Sequence, residues 1–316
     1  MLFRSSFLHY EAESQDIGPL KMADEQVFNE IYQTIGGNPL ALKLAIGQAH
    51  FLPIEHILIG LRKASQAEIS ELYVYIYWQA WQMLDTNGRH LFVSLPIVPN
   101  GTFEQLSIAS GLEADSLMGA IKALRYLSLI ELGQDERGQP RYRIHRLTET
   151  FLLNEVIKWQ QPDQSERQPE SEQFEERLKI ILEHWQADNK VASISAEELD
   201  AEKDGLLKAI QFGLDFEPSW PLVKQLIPTL TGYMERRGHW AVWHDVLNRG
   251  IEVAQRLEDL EGELMITNMR GRILQLQSRQ DEVIINYWHA IRLARKVGNE
   301  IEEARADRKS TRLNSS

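Results

Sequence analysis

The chain has 316 residues, 43% of them hydrophobic and 25% charged, with a net charge of −12 and no cysteine. That length suits two or three domains, and the missing thiols exclude disulfide frameworks, cysteine nucleophiles and cysteine-based zinc sites. An acidic chain repels phosphate backbones unless basic residues gather locally. No apolar run reaches the roughly 18 residues needed to cross a bilayer, and Met1-Leu2-Phe3-Arg4 leads into Ser5, Ser6, Glu11 and Glu13 rather than an export signal, so a cytoplasmic location without a membrane partner is expected.

Almost every segment reads as helix. Val27, Ile31 and Ile35 recur at helical spacing, and Gly36-Gly37 then stops the helix with the residue type that tolerates positive φ. Asn38-Pro39 starts the next, because Asn caps free backbone N–H groups and Pro at the first helical position loses no needed donor. Leu40, Leu44 and Ala45 form its apolar face, and a third helix starts at Pro53 with Ile54, Ile57, Leu58 and Leu61. Residues 1–66 therefore read as a small helical subdomain.

Residues 67–158 change character. Ile69, Leu72, Ile76, Ala80 and Leu84 suit one helix, although Tyr73-Val74-Tyr75-Ile76-Tyr77 also has strand propensity, and Asn87-Gly88 is expected to break it. A short apolar run from Phe92 to Ile97 is followed by helical patterns at 102–109 and 115–127, separated by Gly111. Leu129-Ile130-Glu131-Leu132, a turn through Gly133 and Gly138-Gln139-Pro140, and Tyr142-Arg143-Ile144-His145 complete the order helix, turn, helix, β-hairpin, which is that of a winged helix.

Residues 160–173 contain no aliphatic or aromatic side chain, so 159–173 reads as a mobile linker that cannot bury enough surface to offset its ordering entropy. Residues 174–306 are helical again and show self-similarity at a period of forty: Gly238, Gly250, Ile251, Ala254, Leu257 and Asp259 align with Ser278, Ala290, Ile291, Ala294, Val297 and Asn299. Small residues at fixed offsets let neighbouring helices approach, which points to stacked helical hairpins, or at the least to a helical bundle. The fold class expected is mainly α: a small helical subdomain and a winged helix, then a solenoid of tetratricopeptide-like helical hairpins. Residues 307–316, Asp307 to Ser316, resemble codon by codon the conceptual translation of a common sequencing adapter. They are expected to be an artefactual tail that packs against nothing, with the natural chain continuing past Ala306.

The stretch Ile35-Gly36-Gly37-Asn38-Pro39-Leu40-Ala41-Leu42-Lys43-Leu44 resembles the Gly-x-Pro motif of STAND-type signalling NTPases, which include the NB-ARC group. In that family the motif lies in the helical domain directly after the nucleotide-binding core. A winged helix closing on a short His-containing motif follows, and then superstructure-forming repeats. Gly37-Asn38-Pro39-Leu40, the winged-helix pattern and Tyr142-Arg143-Ile144-His145-Arg146-Leu147 occur here in that order. The resemblance implies that Pro39 packs beside the adenine and ribose of bound ADP and that His145 reaches its β-phosphate, with Gly37 and Asn38 also binding the nucleotide; a His N–H donor suits a phosphate oxygen. Read without the family, Pro39 is a helix-start residue and His145 a packing residue at a strand end.

Two departures matter. The family's Met-His-Asp is Ile144-His145-Arg146 here, which changes the charge beside the histidine. The sequence also contains no Gly-x-x-x-x-Gly-Lys-Ser/Thr, and hence neither a phosphate cradle nor a Mg²⁺-binding hydroxyl. This chain is therefore expected to be the regulatory and sensor part of a signalling ATPase. It should hold no cofactor and hydrolyse no ATP by itself, whereas the full-length protein uses ADP or ATP with Mg²⁺, self-associates, and meets a protein or peptide partner through its repeats.

Other chemistry is sparse. His239 and His244 are five apart and do not share a helical face, so no metal site is expected. Glu197, Glu198, Asp200, Glu202 and Asp204 read as a solvated face. Neither a nucleophile elbow nor a kinase signature set occurs. Trp220, Trp240, Trp243 and Trp288 in the repeat region read as core by default, or as an anchor for a peptide where exposed. The alternatives are a transcription regulator whose winged helix binds DNA, and a free-standing repeat scaffold. For the former, the presumed recognition helix offers Lys122 and Arg125 but also Asp115. Residues 72–153 carry seven basic against eight acidic side chains, which is no footprint for duplex binding, so a nucleic-acid partner is not expected.

Overall fold

The computed structural model describes residues 2–14, 16–21, 24–65, 69–160, 168–187 and 190–314. They divide into two compact units, Met1–Arg177 and Leu178–Ser316.

In the first unit, helices α1 (Leu2–Ser14), α2 (Gly18–Lys21), α3 (Glu25–Ile35), α4 (Pro39–Gly47) and α5 (Ile54–Ala64) pack around Leu8, Ile17, Phe28, Ile31, Leu44 and Ile46, all of them buried. Helix α3 ends on Gly36 at φ 75°, Gly37 follows at φ 78°, and the Asn38 side chain caps α4 by accepting from Leu40 N at 3.0 Å and Ala41 N at 3.2 Å. A side chain at Gly37 would be strained by that φ and would also place its Cβ 2.4 Å from the Tyr32 hydroxyl.

Helix α6 (Ile69–Met83) carries the Tyr-rich run, so tertiary packing overrides the strand propensity of those residues. It stops earlier than expected. Asn87-Gly88 breaks nothing and lies inside α7 (Thr86–Ser94), because Asp85 caps that helix by accepting from Gly88 N at 2.7 Å. Strand β1 (Asn100–Gly101), α8 (Phe103–Ser110), α9 (Ala114–Tyr126), β2 (Ile130–Gln134) and β3 (Pro140–Ile144) then give the winged-helix order. Their sheet is antiparallel in the order β1-β3-β2, with Glu131 opposite Arg143 and Leu132 opposite Tyr142. Helix α8 starts on a full capping box, Thr102 with Gln105.

Helix α10 (Arg146–Phe151) runs on as a π-helical turn, Leu152–Val156. The segment read as a linker is shorter than expected. Residues 161–167 fall outside the described ones, but α11 (Pro169–Gln186) already covers 169–173. Pro169 suits a helix start, Glu170 and Glu172 complement its dipole, the Ser171 hydroxyl donates to Ile157 O, and Phe174 is fully buried.

In the second unit a short helix, α12 (Lys190–Ser193), precedes α13 (Ala196–Asp215), α14 (Trp220–Arg236), α15 (Trp240–Arg256), α16 (Leu260–Leu276), α17 (Gln280–Val297) and α18 (Glu300–Asn314). The last five start at intervals of twenty residues, so a hairpin repeats every forty, as the aligned residues predict and longer than the ~34 of a standard tetratricopeptide repeat. Every turn is built alike. Residues 238, 258, 278 and 298 have positive φ, and the next residue's N–H reaches five back, from His239 to Met234, Asp259 to Ala254, Arg279 to Leu274 and Asn299 to Ala294, at 2.9–3.0 Å. The small residues Gly250 and Ala290 occupy equivalent helical positions, and a Cβ on Gly250 would come within 3.1 Å of Ile266. Trp243 is fully buried and Trp220 nearly so, whereas Trp288 is half exposed. Helix α18 continues through residues 307–314, with Asp307 and Arg308 exposed and Arg308 Nε donating to Ala304 O.

Asp259 ties α14 to α16. Its carboxylate accepts from Trp220 Nε1 at 2.9 Å, Lys224 Nζ at 2.7 Å and Gly262 N at 2.9 Å. Burial opposes its ionisation, but these donors outweigh burial and hold the carboxyl below its usual value. Asp259→Ala removes a helix cap and strands a tryptophan N–H, so it should lower the stability of the repeat unit by about 2 kcal/mol. A depressed folded-state pKa contributes stability that is complete above the unfolded value of about 3.9 and is lost as pH falls through the folded one. Urea unfolding at neutral pH and at about pH 3 should therefore show the wild-type advantage shrinking in acid, and an advantage independent of pH would contradict this role.

Candidate functional site

The Gly36–Pro39 turn and His145 are more than a hundred residues apart in sequence, yet both meet helix α6. Helix α6 packs on α4, where Tyr73 faces Asn38; burial raises the Tyr73 pKa and the nearby Asn38 side chain opposes the rise. One helical turn further on, about 6 Å along the axis, the Tyr77 hydroxyl lies 3.1 Å from Thr148 Oγ1. Tyr77 and Thr148 are both buried, and the Tyr77 ring stacks on Phe151 at 4.9 Å. Burial pushes the Tyr77 phenol up to about 12, so it stays protonated and able to donate. Successive turns of α6 thus hold the start of α4 and the first turn of α10, the helix that follows His145. Neither tyrosine stands out in the sequence; only the i, i+4 spacing of Tyr73 and Tyr77 could have marked them as one helical face.

His145 is exposed and caps α10, its Nδ1 accepting from Leu147 N at 3.2 Å. It is not the buried strand-end residue that reading without the family would have it be. With Nδ1 as the acceptor, the neutral ring carries its proton on Nε2. That N–H has no partner among the described residues and is free to donate to an incoming oxygen. Pro39 is also exposed, at the first position of α4, while Gly37 and Asn38 are half-buried. Arg146 is exposed and presents a positive charge next to the histidine.

The other end of α4 is fixed as well. A Cβ on Gly47 would lie 2.4 Å from Tyr126 O and 3.0 Å from the Leu127 backbone, and the His50 ring stacks on Tyr126 at 4.4 Å. The C-terminal end of α9 is therefore pressed against the helical cluster. Two of the wing's arginines are already committed: Arg141, 2% exposed, pairs with Asp135 at 3.2 Å, and the exposed Arg143 donates to Asn100 Oδ1 at 2.8 Å. Among the described residues no group of three or more His, Asp or Glu could hold a metal, and no helix is long and apolar enough to cross a membrane.

In the repeat unit a cavity of about 780 Å³ opens between α16 and the start of α18, with Leu264, Met265 and Met269 as its floor and Asn268, Arg272 and Glu302 at its rim. Asn268 donates to Glu302 at 3.0 Å.

The sequence matches no protein-family signature, and no curated protein is similar to it. A solved structure of a signal transduction ATPase with numerous domains (STAND) carrying a tetratricopeptide repeat sensor, from Pyrococcus horikoshii, is similar to 98% of this chain at 14% identity and a TM-score of 0.31. The resemblance is coarse. The chain spans 56% of that protein, a little over half its length.

The Tyr77–Thr148 bond can be isolated from the packing around it. Tyr77→Phe keeps the ring stacked on Phe151 but leaves Thr148 Oγ1 buried and unpaired, at a cost of about 1–3 kcal/mol. Adding Thr148→Val removes the orphaned hydroxyl and should recover part of that loss. Equal stability of the single and double variants in denaturant titration would show that the bond does not hold α10 to α6.

Proposed function

We propose that this chain is the regulatory and sensor part of a nucleotide-switched signalling ATPase of the STAND type, acting in a longer polypeptide whose core supplies the phosphate-binding loop. The observation that carries the reading is the double tie of α6 to the Pro39 turn and to the helix that His145 caps. A nucleotide contacted by both residues would be felt by a single rigid element. His145 offers a Nε2–H suited to a phosphate oxygen, and Pro39 an exposed rigid face suited to a base. When bound, ADP would supply the charge and the ring that these two residues recognise. No Mg²⁺ ligand belongs to this part, and phosphoryl transfer is work for the core. The repeats take a protein or peptide partner, and self-association of the full-length protein follows activation. Against a DNA-binding role for the winged helix stand its near-neutral charge, the buried ion pair of Arg141 and the bond of Arg143 to Asn100, and the covered end of α9.

Loss of one hydrogen bond to a charged phosphate corresponds to about tenfold in affinity. His145→Ala in the full-length protein should therefore release a fluorescent ADP analogue about tenfold faster and shift the protein towards its self-associated state. The 316-residue chain alone should release no phosphate from MgATP above buffer. Unchanged ADP release from the variant would overturn the role of His145, and turnover by the chain alone would overturn the division of labour.

A further inference from the structure

The two cations on the presumed recognition helix remain without a task once DNA is set aside. Lys122 and Arg125 are one turn apart on the exposed face of α9, and both line a cavity of about 490 Å³ roofed by Ser14 and Asp16. Among the described residues Arg125 has no ion-pair or hydrogen-bond partner, and Lys122 has only the Tyr126 ring, at 5.5 Å. The remaining wall is apolar and aromatic: Met118, Ile121, Tyr126 and Tyr142. Met118 is 54% exposed and gives this wall an accessible apolar surface. The one acid at the rim, Asp16, is neutralised by Lys21 at 2.5 Å, which leaves two uncompensated positive charges over an apolar bed.

We infer that this cavity binds a small phosphorylated aromatic molecule, its phosphate held between Lys122 and Arg125 and its ring laid against Tyr126 and Met118. The volume is that of a small-molecule site. The charge decides the head group: a phosphate monoester carries about −1.5 to −2 at neutral pH, matching two cations, and Arg and Lys both favour phosphate oxygens. Rigidity decides the body. Tyr126 is stacked on His50, and its carbonyl sits where Gly47 leaves no room for a side chain, so the aromatic wall is in place before a ligand arrives and little ordering entropy is lost on binding. The roof over α9 admits a small molecule but obstructs a duplex, so the same two cations that would have contacted DNA phosphates serve one phosphate instead.

The test is calorimetric titration of the intact 316-residue chain with phenyl phosphate, inorganic phosphate and phenol, and separately with a short DNA duplex. Phenyl phosphate should bind with one-to-one stoichiometry and at least about tenfold tighter than inorganic phosphate or phenol, because it alone engages both halves of the site. Lys122→Gln and Arg125→Gln are surface changes that leave the fold intact by circular dichroism, and each should weaken phenyl phosphate about tenfold. Met118→Ala, which removes apolar surface under the ring without changing charge, should weaken phenyl phosphate while leaving inorganic phosphate less affected. Equal affinity for phenyl and inorganic phosphate would overturn the aromatic half of the assignment. Absence of saturable binding at millimolar ligand, or binding unchanged in both Gln variants, would overturn the site. Duplex binding that phenyl phosphate displaces, and that both variants abolish, would return these cations to nucleic-acid recognition.

Discussion

The first unit is organised by what α6 does with its tyrosines. A helix is the stiffest short element a chain has, and side chains four apart lie one above the other on it. Tyr73 and Tyr77 use that geometry to hold two segments far apart in sequence, Asn38 at one level and Thr148 at the next. A buried hydroxyl pair contributes only modestly to net stability, but leaving either partner unmatched is expensive. The contact therefore specifies an arrangement more than it strengthens one. It sets the Pro39 turn and the His145 cap in a fixed relation.

Much of this architecture is written in local signals. The forty-residue period appears because each repeat turn needs a positive-φ residue and each following helix a start, and the alignment of Asp259 with Asn299 marks two helices capped alike, Asp259 on Gly262 N and Asn299 on Glu302 N. The hairpin of the winged helix and the Asn38-Pro39 start were legible for the same reason. Errors came where one local signal beat another. Asn87-Gly88 reads as a breaker in isolation, but Asp85 two residues earlier caps a helix through that glycine. Residues 169–173 look too polar to order, yet a proline, two acids and one serine hydroxyl suffice to start a helix that buries Phe174. Tyr73, Tyr77 and Thr148 were out of reach because their value lies in contacts at long sequence separation, and no periodicity encodes those.

The winged helix shows how charge is spent inside a fold. Its sequence count is close to neutral, and the structure further reduces what is available outside. Arg141 is consumed in fixing the wing turn with Asp135, whose carboxyl is held below its usual value chiefly by the Gln139 and Arg137 backbone N–H groups and by Arg141 itself. Arg143 is held by Asn100. A count of arginines treats all of them alike, whereas a phosphate meets only those whose guanidinium is not already committed. On this criterion Lys122 and Arg125 on α9 and Arg146 at the start of α10 remain among the described residues.

Helix α4 joins these observations. Its nine residues span about 13.5 Å. Its first residue is Pro39, and its last, Gly47, touches the backbone at Tyr126 with no space for even a methyl group. A shift of α4 at its Pro39 end cannot be absorbed at the other, because close-packed contacts move in discrete steps rather than by compression. It must instead displace Tyr126, and with it the wall beside Lys122 and Arg125. A ligand at either end of α4 that prefers one placement of the helix would bias the other end by the same free energy, since linkage between two sites is reciprocal. Gly47→Ala tests whether the contact with Tyr126 is tight enough to pass on a shift of α4. The added methyl favours helix formation yet collides with Tyr126 O, so thermal unfolding should show a net loss of about 1–3 kcal/mol from overpacking. A stabilised variant would mean that the two elements are free to part and that α4 transmits nothing between them.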